Sequence, residues 1–188
     1  MKLNRTALIV GSLLLATPAL AQSVAEKTGV NSTLGISPAT ADFVKEVAIS
    51  DMFEIESNRM AQDKGNAAEK KFASMMVTDH TKTSTELKAL VSGGKVKAEL
   101  PAGLDESHQK KLDTLKAKTG KDFSSEFDSM QVSAHKDAVS LFERYARGGD
   151  NAELKNWAGK TLPALKHHLE MAQDLTKAPA TVGSSKTK

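Results

Sequence analysis

The spacing of residues in the last third of this chain constrains its fold more than any other feature. From residue 154 to residue 175, the positions on one side follow alternating steps of four and three. An α-helix has 3.6 residues per turn, so these steps place the series on one stripe that packs against other helices. The series comprises Leu154, Ala158, Thr161, Leu165, His168, Ala172 and Leu175. Similar spacing recurs upstream, and no stretch alternates apolar and polar residues for the length of a strand, so we expect an all-α fold.

Prolines, glycines and capping residues divide the chain into helices. Ser37-Pro38 predicts the start of helix one, because a serine side chain caps free amides and proline suits the first turn. Asn66 with Glu69 three residues later forms a capping-box pattern for helix two, and Asp150 repeats this spacing before helix four. The predicted helices are residues 37 to about 64, 66 to about 92, a short helix from Asp105 to Gly120, about Phe123 to Arg147, and Asp150 to about Lys177.

Two short connections predict how the helices pair. A short turn makes two helices antiparallel neighbours, so helices one and two form one hairpin and helices three and four form another. Two packed hairpins make a four-helix bundle, which we assign to residues 37–178, with the short helix connecting them. Residues 22–36 are predicted to form a flexible N-terminal segment and residues 179–188 a disordered tail, because both are small and polar. The spacing leaves open whether the connection between the hairpins crosses the bundle.

The first 21 residues have the parts of a cleavable secretory signal peptide. Lys2 and Arg5 give a basic start, residues 7–16 carry no charge, and Ala-Leu-Ala ending at Ala21 is the small-x-small pattern that signal peptidase cuts. Cleavage between Ala21 and Gln22 is predicted to leave a periplasmic or extracellular chain. The apolar run is shorter than the about 20 residues that span a membrane, so we expect no transmembrane segment in the mature chain.

Charge and composition exclude one broad class of function. Removal of 21 residues from the 188 leaves 167, with 24 basic and 23 acidic side chains. This balance and an aromatic content of 4% argue against nucleic-acid binding, which favours a basic surface and aromatic rings for base stacking. The chain contains no cysteine, so it has neither disulfides nor a cysteine-linked lipid.

Histidine placement is the feature that points to a site. His80, His135 and His168 lie on the inward stripes of three different long helices, while His108 falls in the first turn of the short helix. His167 is rotated by about 100° from His168 on a helix with 3.6 residues per turn. Because the inward stripes of a bundle meet at its centre, we expect the first three histidines to face one another.

A carboxylate on helix one is placed to join these histidines. Glu54 shares a face with Val47 and Ala61 at seven-residue steps. Glu54 lies about 11 residues before the first turn and His80 about 15 after it, an axial offset of roughly 6 Å at 1.5 Å per residue. Side chains tilt toward the N-terminus of their own helix, so the two groups lean toward each other.

Several separated motifs between Phe43 and Leu175 carry a resemblance to a bacterial family. They are Phe-Glu-Ile-Glu at 53–56, Met-Val-Thr-Asp-His at 76–80, Leu-Asp-Glu-Ser-His at 104–108, His135 followed by Ala138, Leu141 and Phe142, and Leu-Pro-Ala-Leu-Lys-His-His-Leu at 162–169. With these motifs the chain resembles the exported domain-of-unknown-function family 4142, often labelled outer membrane protein and grouped with ferritin-like bundles. The resemblance implies a ferritin-like four-helix bundle outside the cytoplasm, with no established activity. The family's recurrent polar positions match Glu54, Asp79, His80, His135 and His168.

The chain departs from the di-iron pattern of ferritin-like proteins. That pattern places a glutamate three residues before a histidine on two helices. Here Val77, Val132 and Leu165 stand three residues before the three inward histidines. We therefore do not expect a ferritin-type di-iron centre.

One functional hypothesis is a single transition-metal site in the bundle core. Imidazole suits zinc, copper and iron, and three histidines with one carboxylate make a four-ligand shell. We predict that His80, His135, His168 and Glu54 are the ligands. Asp79 is placed to support a ligand from outside the shell.

The other hypothesis is a non-catalytic structural or interaction protein of the cell envelope. Its buried histidines would be neutral and hydrogen-bonded to Glu54, Asp79, Thr83 or Thr161, because buried polar groups need partners. An envelope partner fits this hypothesis, although no residue pattern identifies one. We do not expect an enzyme, because the sequence has no recognisable nucleophile motif and no glycine-rich phosphate loop.

Overall fold

The computed structural model describes Val24, Glu26 and residues 28–177, and within these residues it contains helices and no strands. The expected all-α fold is confirmed. None of the helices in this part of the chain is long and apolar enough to cross a membrane. The predicted signal peptide, residues 1–21, and the predicted tail, residues 179–188, lie outside the described residues. The helices are α1 (Val30–Leu34), α2 (Thr40–Lys64), α3 (Ala67–Ser92), α4 (Glu106–Lys116), α5 (Gly120–Gly148) and α6 (Ala152–Lys177).

Two of the predicted helix starts are capped as the sequence indicates. At the start of α3 the Asn66 side chain accepts hydrogen bonds from the amides of Ala68 and Glu69, and the Glu69 carboxylate accepts one from the Asn66 amide. At the start of α4, Asp105 accepts a hydrogen bond from the His108 amide at 2.8 Å. These side chains satisfy amides that have no partner within the first turn of a helix.

Two other helix starts differ from the prediction. Helix α2 begins at Thr40 rather than Ser37, because the serine hydroxyl donates to the following carbonyl oxygen instead of capping the helix. Helix α6 is capped by Asn151, whose side chain accepts from the Leu154 amide at 2.9 Å. Asp150, the predicted cap, instead accepts hydrogen bonds from side chains outside α6.

The boundary between α4 and α5 also differs from the prediction. Helix α4 ends at Lys116, and α5 begins at Gly120, three residues before the predicted Phe123. Gly120 has a φ of 56°, in the left-handed region that glycine adopts without strain. The chain can therefore turn at Gly120 and enter the next helix directly.

The four long helices form two antiparallel hairpins that pack side by side. Besides the contacts within each hairpin, α2 contacts α5 and α3 contacts α6. Phe43, near the start of α2, stacks on Tyr145, near the end of α5, with ring centroids 4.0 Å apart. Trp157, near the start of α6, donates from Nε1 to Glu86, near the end of α3, at 2.8 Å. Each pair of adjacent long helices is therefore antiparallel.

The connection between the hairpins crosses the length of the bundle. Helix α3 ends beside the start of α6, whereas the Phe72 ring, near the start of α3, lies 6.2 Å from that of Phe127, near the start of α5. Residues 93–119, which include α4, must therefore run from one end of the bundle to the other. Ferritin-like bundles share this topology with one long crossover. The bundle is shown by the contacts, and the ferritin-like relationship stays a prediction.

The core consists of two apolar clusters separated by a polar layer. One cluster is built around Phe43, Phe142 and Tyr145, and the other around Phe72 and Phe127. Along each long helix, the buried residues belong first to one apolar cluster, then to the polar layer and then to the other apolar cluster. The buried polar residues between the clusters are Asp51, Glu54, Ser57, Asn58, His80, Gln131, His135 and His168.

The N-terminal segment packs against α5 through polar contacts. Segment 22–36, predicted to be flexible, contains α1. Glu26 forms a buried ion pair with Arg144 of α5, and Arg144 also donates a hydrogen bond to the Ile36 carbonyl at 2.8 Å. Ser32 and Ser140 share a hydrogen bond of 3.1 Å. These contacts fix the described part of the segment over one face of the bundle.

Candidate metal centre

Three histidines meet in the polar layer. The exposed fractions of His80, His135 and His168 are 3%, 1% and 3%. Their ring centroids lie 5.7 Å apart for His80 and His135, 5.7 Å for His80 and His168, and 5.5 Å for His135 and His168. One nitrogen from each ring lies within 4.8 Å of the other two. The structure therefore brings together the three histidines that the helical stripes predict, and we call them the histidine triad.

His80 is oriented by a carboxylate on α2. Its Nδ1–H donates a hydrogen bond to Oδ1 of Asp51 at 2.8 Å. The Thr83 hydroxyl lies 3.0 and 2.9 Å from the two oxygens of that carboxylate and holds it in place. Nε2 of His80 is buried and has no hydrogen-bond partner among the described residues.

His135 is oriented by the backbone of its own helix. Its Nδ1 lies 2.9 Å from the carbonyl oxygen of Gln131, one turn earlier in α5. A carbonyl oxygen can only accept, so Nδ1 carries the proton and Nε2 carries the lone pair. That Nε2 is buried, and no described residue pairs with it.

His168 is oriented by Asp79, the residue that the sequence placed in a supporting position. Nε2–H of His168 donates to Oδ2 of Asp79 at 2.9 Å. The Asp79 side chain is 40% exposed, so this bond connects the triad to the surface of the bundle. Nδ1 of His168 is buried and is unpartnered within the described part of the chain.

The three rings share one arrangement that suits a metal ion. Each ring binds a protein acceptor through one nitrogen and keeps the opposite nitrogen for a ligand. Metal-binding histidines have this pattern, because an acceptor on the far nitrogen fixes the tautomer and the ring orientation. Two imidazole nitrogens on one tetrahedral zinc lie about 3.4 Å apart, given Zn–N distances of about 2.0 to 2.1 Å. Each distance between two triad nitrogens is at most 4.8 Å, so it would have to shorten by at most about 1.4 Å.

The electrostatic surroundings keep two of the three rings neutral. Burial lowers the pKa of His135, although the charge of Glu54 opposes the change. Burial and the nearby His135 and His80 lower the pKa of His168 to about 4, against the opposing effect of Asp79. At His80 burial also favours the neutral ring, but the hydrogen bond and charge of Asp51 outweigh it and raise the pKa. At neutral pH, His135 and His168 therefore present lone pairs.

Glu54, the predicted fourth ligand, lies close to the triad but is not part of it. The group of ligand atoms within 4.8 Å contains the three histidines alone among the described residues. Asn58, one turn later in α2, donates from Nδ2 to Oε2 of Glu54 at 2.9 Å and holds the carboxylate on its own helix. Oε1 of Glu54 is buried without a partner in the described ranges. The charge of Glu54 nevertheless acts on the pKa values of His80 and His135.

Comparison with known proteins gives one match. The model of a family described as domain of unknown function (DUF4142) matches residues 25–175. The chain belongs to the DUF4142 family. No curated protein and no solved structure matches the chain. Membership confirms the resemblance inferred from the sequence motifs.

The polar layer of the DUF4142 domain contains residues that the sequence argument overlooked. Asp51 and Asn58 bind His80 and Glu54, respectively, and Gln131 supplies the acceptor for His135. The sequence does contain a signal for Asp51 and Asn58, because both lie on the buried stripe of α2, which runs in steps of three and four. That stripe is Val44, Val47, Asp51, Glu54, Asn58 and Ala61.

Proposed function

We propose that this DUF4142 protein binds a single transition-metal ion at the histidine triad. The observation that carries the proposal is the set of three buried ring nitrogens that have no partner among the described residues and belong to rings in mutual contact. His80, His135 and His168 supply these nitrogens. Zinc, copper and iron all accept imidazole ligands, so the donor set fits this class of ions.

A purely structural network explains these nitrogens less well. Buried polar atoms in folded proteins are nearly always hydrogen-bonded, and an unsatisfied one costs about 1 to 3 kcal/mol. A network that served stability alone would pair the inner nitrogens of His80, His135 and His168 with donors. Instead the donors of each ring point outward to Asp51, the Gln131 carbonyl and Asp79.

Glu54 completes the proposed site as a fourth ligand. Its Oε1 atom has no hydrogen-bond partner in the described part of the chain, and its charge acts on two of the triad histidines. A carboxylate oxygen binds zinc at about 2.0 to 2.2 Å and offsets part of the ion's charge in the buried site. Rotation of the Glu54 side chain toward the triad would produce a closed shell of three histidines and one carboxylate.

The proposed site lies in an exported protein. Lys2, Arg5 and the Ala-Leu-Ala sequence ending at Ala21 support cleavage after that residue and release into the periplasm or the extracellular space. Intact-mass measurement of the protein from a periplasmic extract should show a chain that begins at Gln22. Recovery of only the full-length chain, in the cytosol, would contradict export.

Metal titration tests the proposed site directly. The apo protein is titrated with zinc and copper in a calorimeter, and its melting temperature is measured with and without the ion. Binding to the native state contributes about 2.7 kcal/mol at a free-ion concentration 100 times Kd, which raises Tm by roughly 5 to 10 °C. His135→Ala should abolish the rise. His167→Ala, on an exposed histidine beside His168, is the matched control and should preserve it.

The structural alternative predicts different results in this experiment. The parent protein would show no metal-dependent change in Tm. His135→Ala would lower the Tm of the apo protein, because the Gln131 carbonyl would lose its side-chain donor. Binding of the ion with equal affinity to the parent and His135→Ala would also contradict the proposed site.

A second candidate function is association with an envelope partner. The exposed large apolar side chains of the described residues are confined to the N-terminal segment, which favours a contact surface there. A photocrosslinker placed at Leu34 in the exported protein should then give a defined adduct that one placed at exposed Lys88 does not. Equal labelling at both positions would count against this function. The exposed side chains are Val24, Val30, Leu34 and Ile36.

A further inference from the structure

A cavity of about 890 Å³ extends from the outer segments of the protein to His80, one member of the histidine triad. Its outer lining comes from the N-terminal segment and α4, and includes Ser32 and His108. Its inner lining includes His80 and Asp51, together with Thr83 and Thr161 from the far side of the bundle. Between these ends the walls are formed by α2 and α5, so the cavity passes through the seam between the two hairpins.

Small side chains keep this seam open. Ser50 on α2 faces the cavity, as do Ser133, Ala134 and Ala138 on α5. The cavity is partly open to solvent along the seam, where Ser133 is exposed. The space therefore results from the sequence of the seam and provides a path between α2 and α5.

The lining of the cavity is acidic. It contains six carboxylates and two basic side chains, Lys111 and Arg144, and the buried ion pair between Arg144 and Glu26 leaves five carboxylates against Lys111. Burial raises the pKa of Glu46, with His108 opposing and the negative charges of Asp105 and Glu26 adding to the effect. Such a lining attracts cations and repels anions. The carboxylates are Glu26, Glu46, Asp51, Asp105, Glu126 and Asp137.

We infer that this cavity is the route by which a metal cation reaches the histidine triad, an inference that rests on the proposed metal site. The inner end of the cavity is lined by His80 and by Asp51, the carboxylate that accepts the hydrogen bond from His80. The triad is almost fully buried, so an ion must travel through the protein to reach it. The carboxylates along the seam replace part of the ion's hydration shell on the way, and the outer carboxylates raise its local concentration.

The test measures the rates of metal binding to the full processed protein with Co(II), whose visible absorption changes when nitrogen ligands bind it. Ala134→Leu and Ser50→Leu each narrow the seam from one side without removing a ligand. Because a narrowed path raises the barrier in both directions, we expect the association and dissociation rates to fall together by tenfold or more, with Kd unchanged. Ala89→Leu, on an exposed position of α3 outside the cavity, adds the same volume and should leave both rates at the parent values.

Charge variants provide a second measurement that adds no volume to the seam. Glu46→Gln with Asp137→Asn should lower the association rate by threefold or more and make it less sensitive to salt. Unchanged rates in both seam variants and in the charge variant, with Co(II) still bound by the parent, would overturn the access route alone. Absence of Co(II) binding to the parent would overturn the metal site and the route together.

Discussion

Asp51 of α2 accepts a hydrogen bond of 2.8 Å from Nδ1 of His80 on α3, and both side chains are buried. This bond joins the two helices of the first hairpin within the polar layer. It occupies Nδ1 of the ring, so Nε2 is the nitrogen left for a metal ion. Thr83, one turn after His80, fixes the carboxylate in turn.

Asp51→Asn should weaken zinc binding by about 10- to 100-fold, the usual effect of losing an acceptor behind a metal ligand. The amide oxygen can still accept from His80, but it lacks the negative charge that strengthens the ring as a ligand. Competition with a chelator of known zinc affinity measures the change. Thr83→Val, which removes one support of Asp51, should have a smaller effect. Equal affinities for parent and Asp51→Asn would show that the bond does not support a ligand.

Glu54→Gln should reduce zinc affinity by about tenfold or more if the carboxylate rotates into the site, because the shell then loses an anionic ligand. The visible spectrum of the Co(II) form should also change, since the fourth ligand differs. Glu56→Gln on the same helix, whose side chain is 53% exposed, is the matched control and should bind as the parent does. An unchanged spectrum and affinity in Glu54→Gln would restrict the ligands to the three histidines.

The contribution of Asp128 to the free energy of unfolding should fall with rising pH. Burial, together with the charge of Glu69, raises the pKa of Asp128 from 3.8 to about 7. An acid whose folded pKa is raised binds more protons in the folded state, so its contribution falls as pH rises from about 4 to 7 and then stays constant. The free energy of unfolding of Asp128→Asn, measured relative to the parent, should therefore be higher at pH 8 than at pH 5.

Urea unfolding at pH 5 and pH 8 measures this difference. Asp137→Asn, at an exposed position of the same helix, is the control and should change stability equally at both pH values. A difference between Asp128→Asn and the parent that is the same at pH 5 and pH 8 would contradict the raised pKa.

Glu26→Gln should release the N-terminal segment from α5. Loss of one partner from a buried ion pair typically costs 3 to 5 kcal/mol, but the segment can move away and expose Arg144 to water, so we expect about 2 kcal/mol. Limited proteolysis should cut the segment faster while leaving the bundle intact, and urea unfolding should report the loss of stability. Adding Arg144→Met to this variant should recover part of the lost stability. A variant as resistant to protease as the parent would show that the ion pair does not hold the segment.

The sequence located the histidine triad because helical periodicity is a local property. His80, His135 and His168 lie on stripes that each helix must bury, and a bundle brings such stripes together whatever the details of packing. The sequence was less informative about which carboxylate of α2 contacts a triad histidine. Asp51 lies 14 residues before Gly65 and His80 lies 15 after it, so these two side chains stand at matching heights in the hairpin. Glu54 lies one turn closer to the turn and bonds to Asn58 instead.

The sequence by itself therefore determined the all-α class, the hairpins and the three histidines, because each depends on spacing along one helix or on one short turn. The tertiary structure decided which acceptor binds each histidine, because a hydrogen bond depends on the relative height and rotation of two helices. It also decided the crossover between α3 and α5 and the cavity between α2 and α5. Both arise from how the hairpins pack against each other, and a pattern within one helix carries no information about that packing.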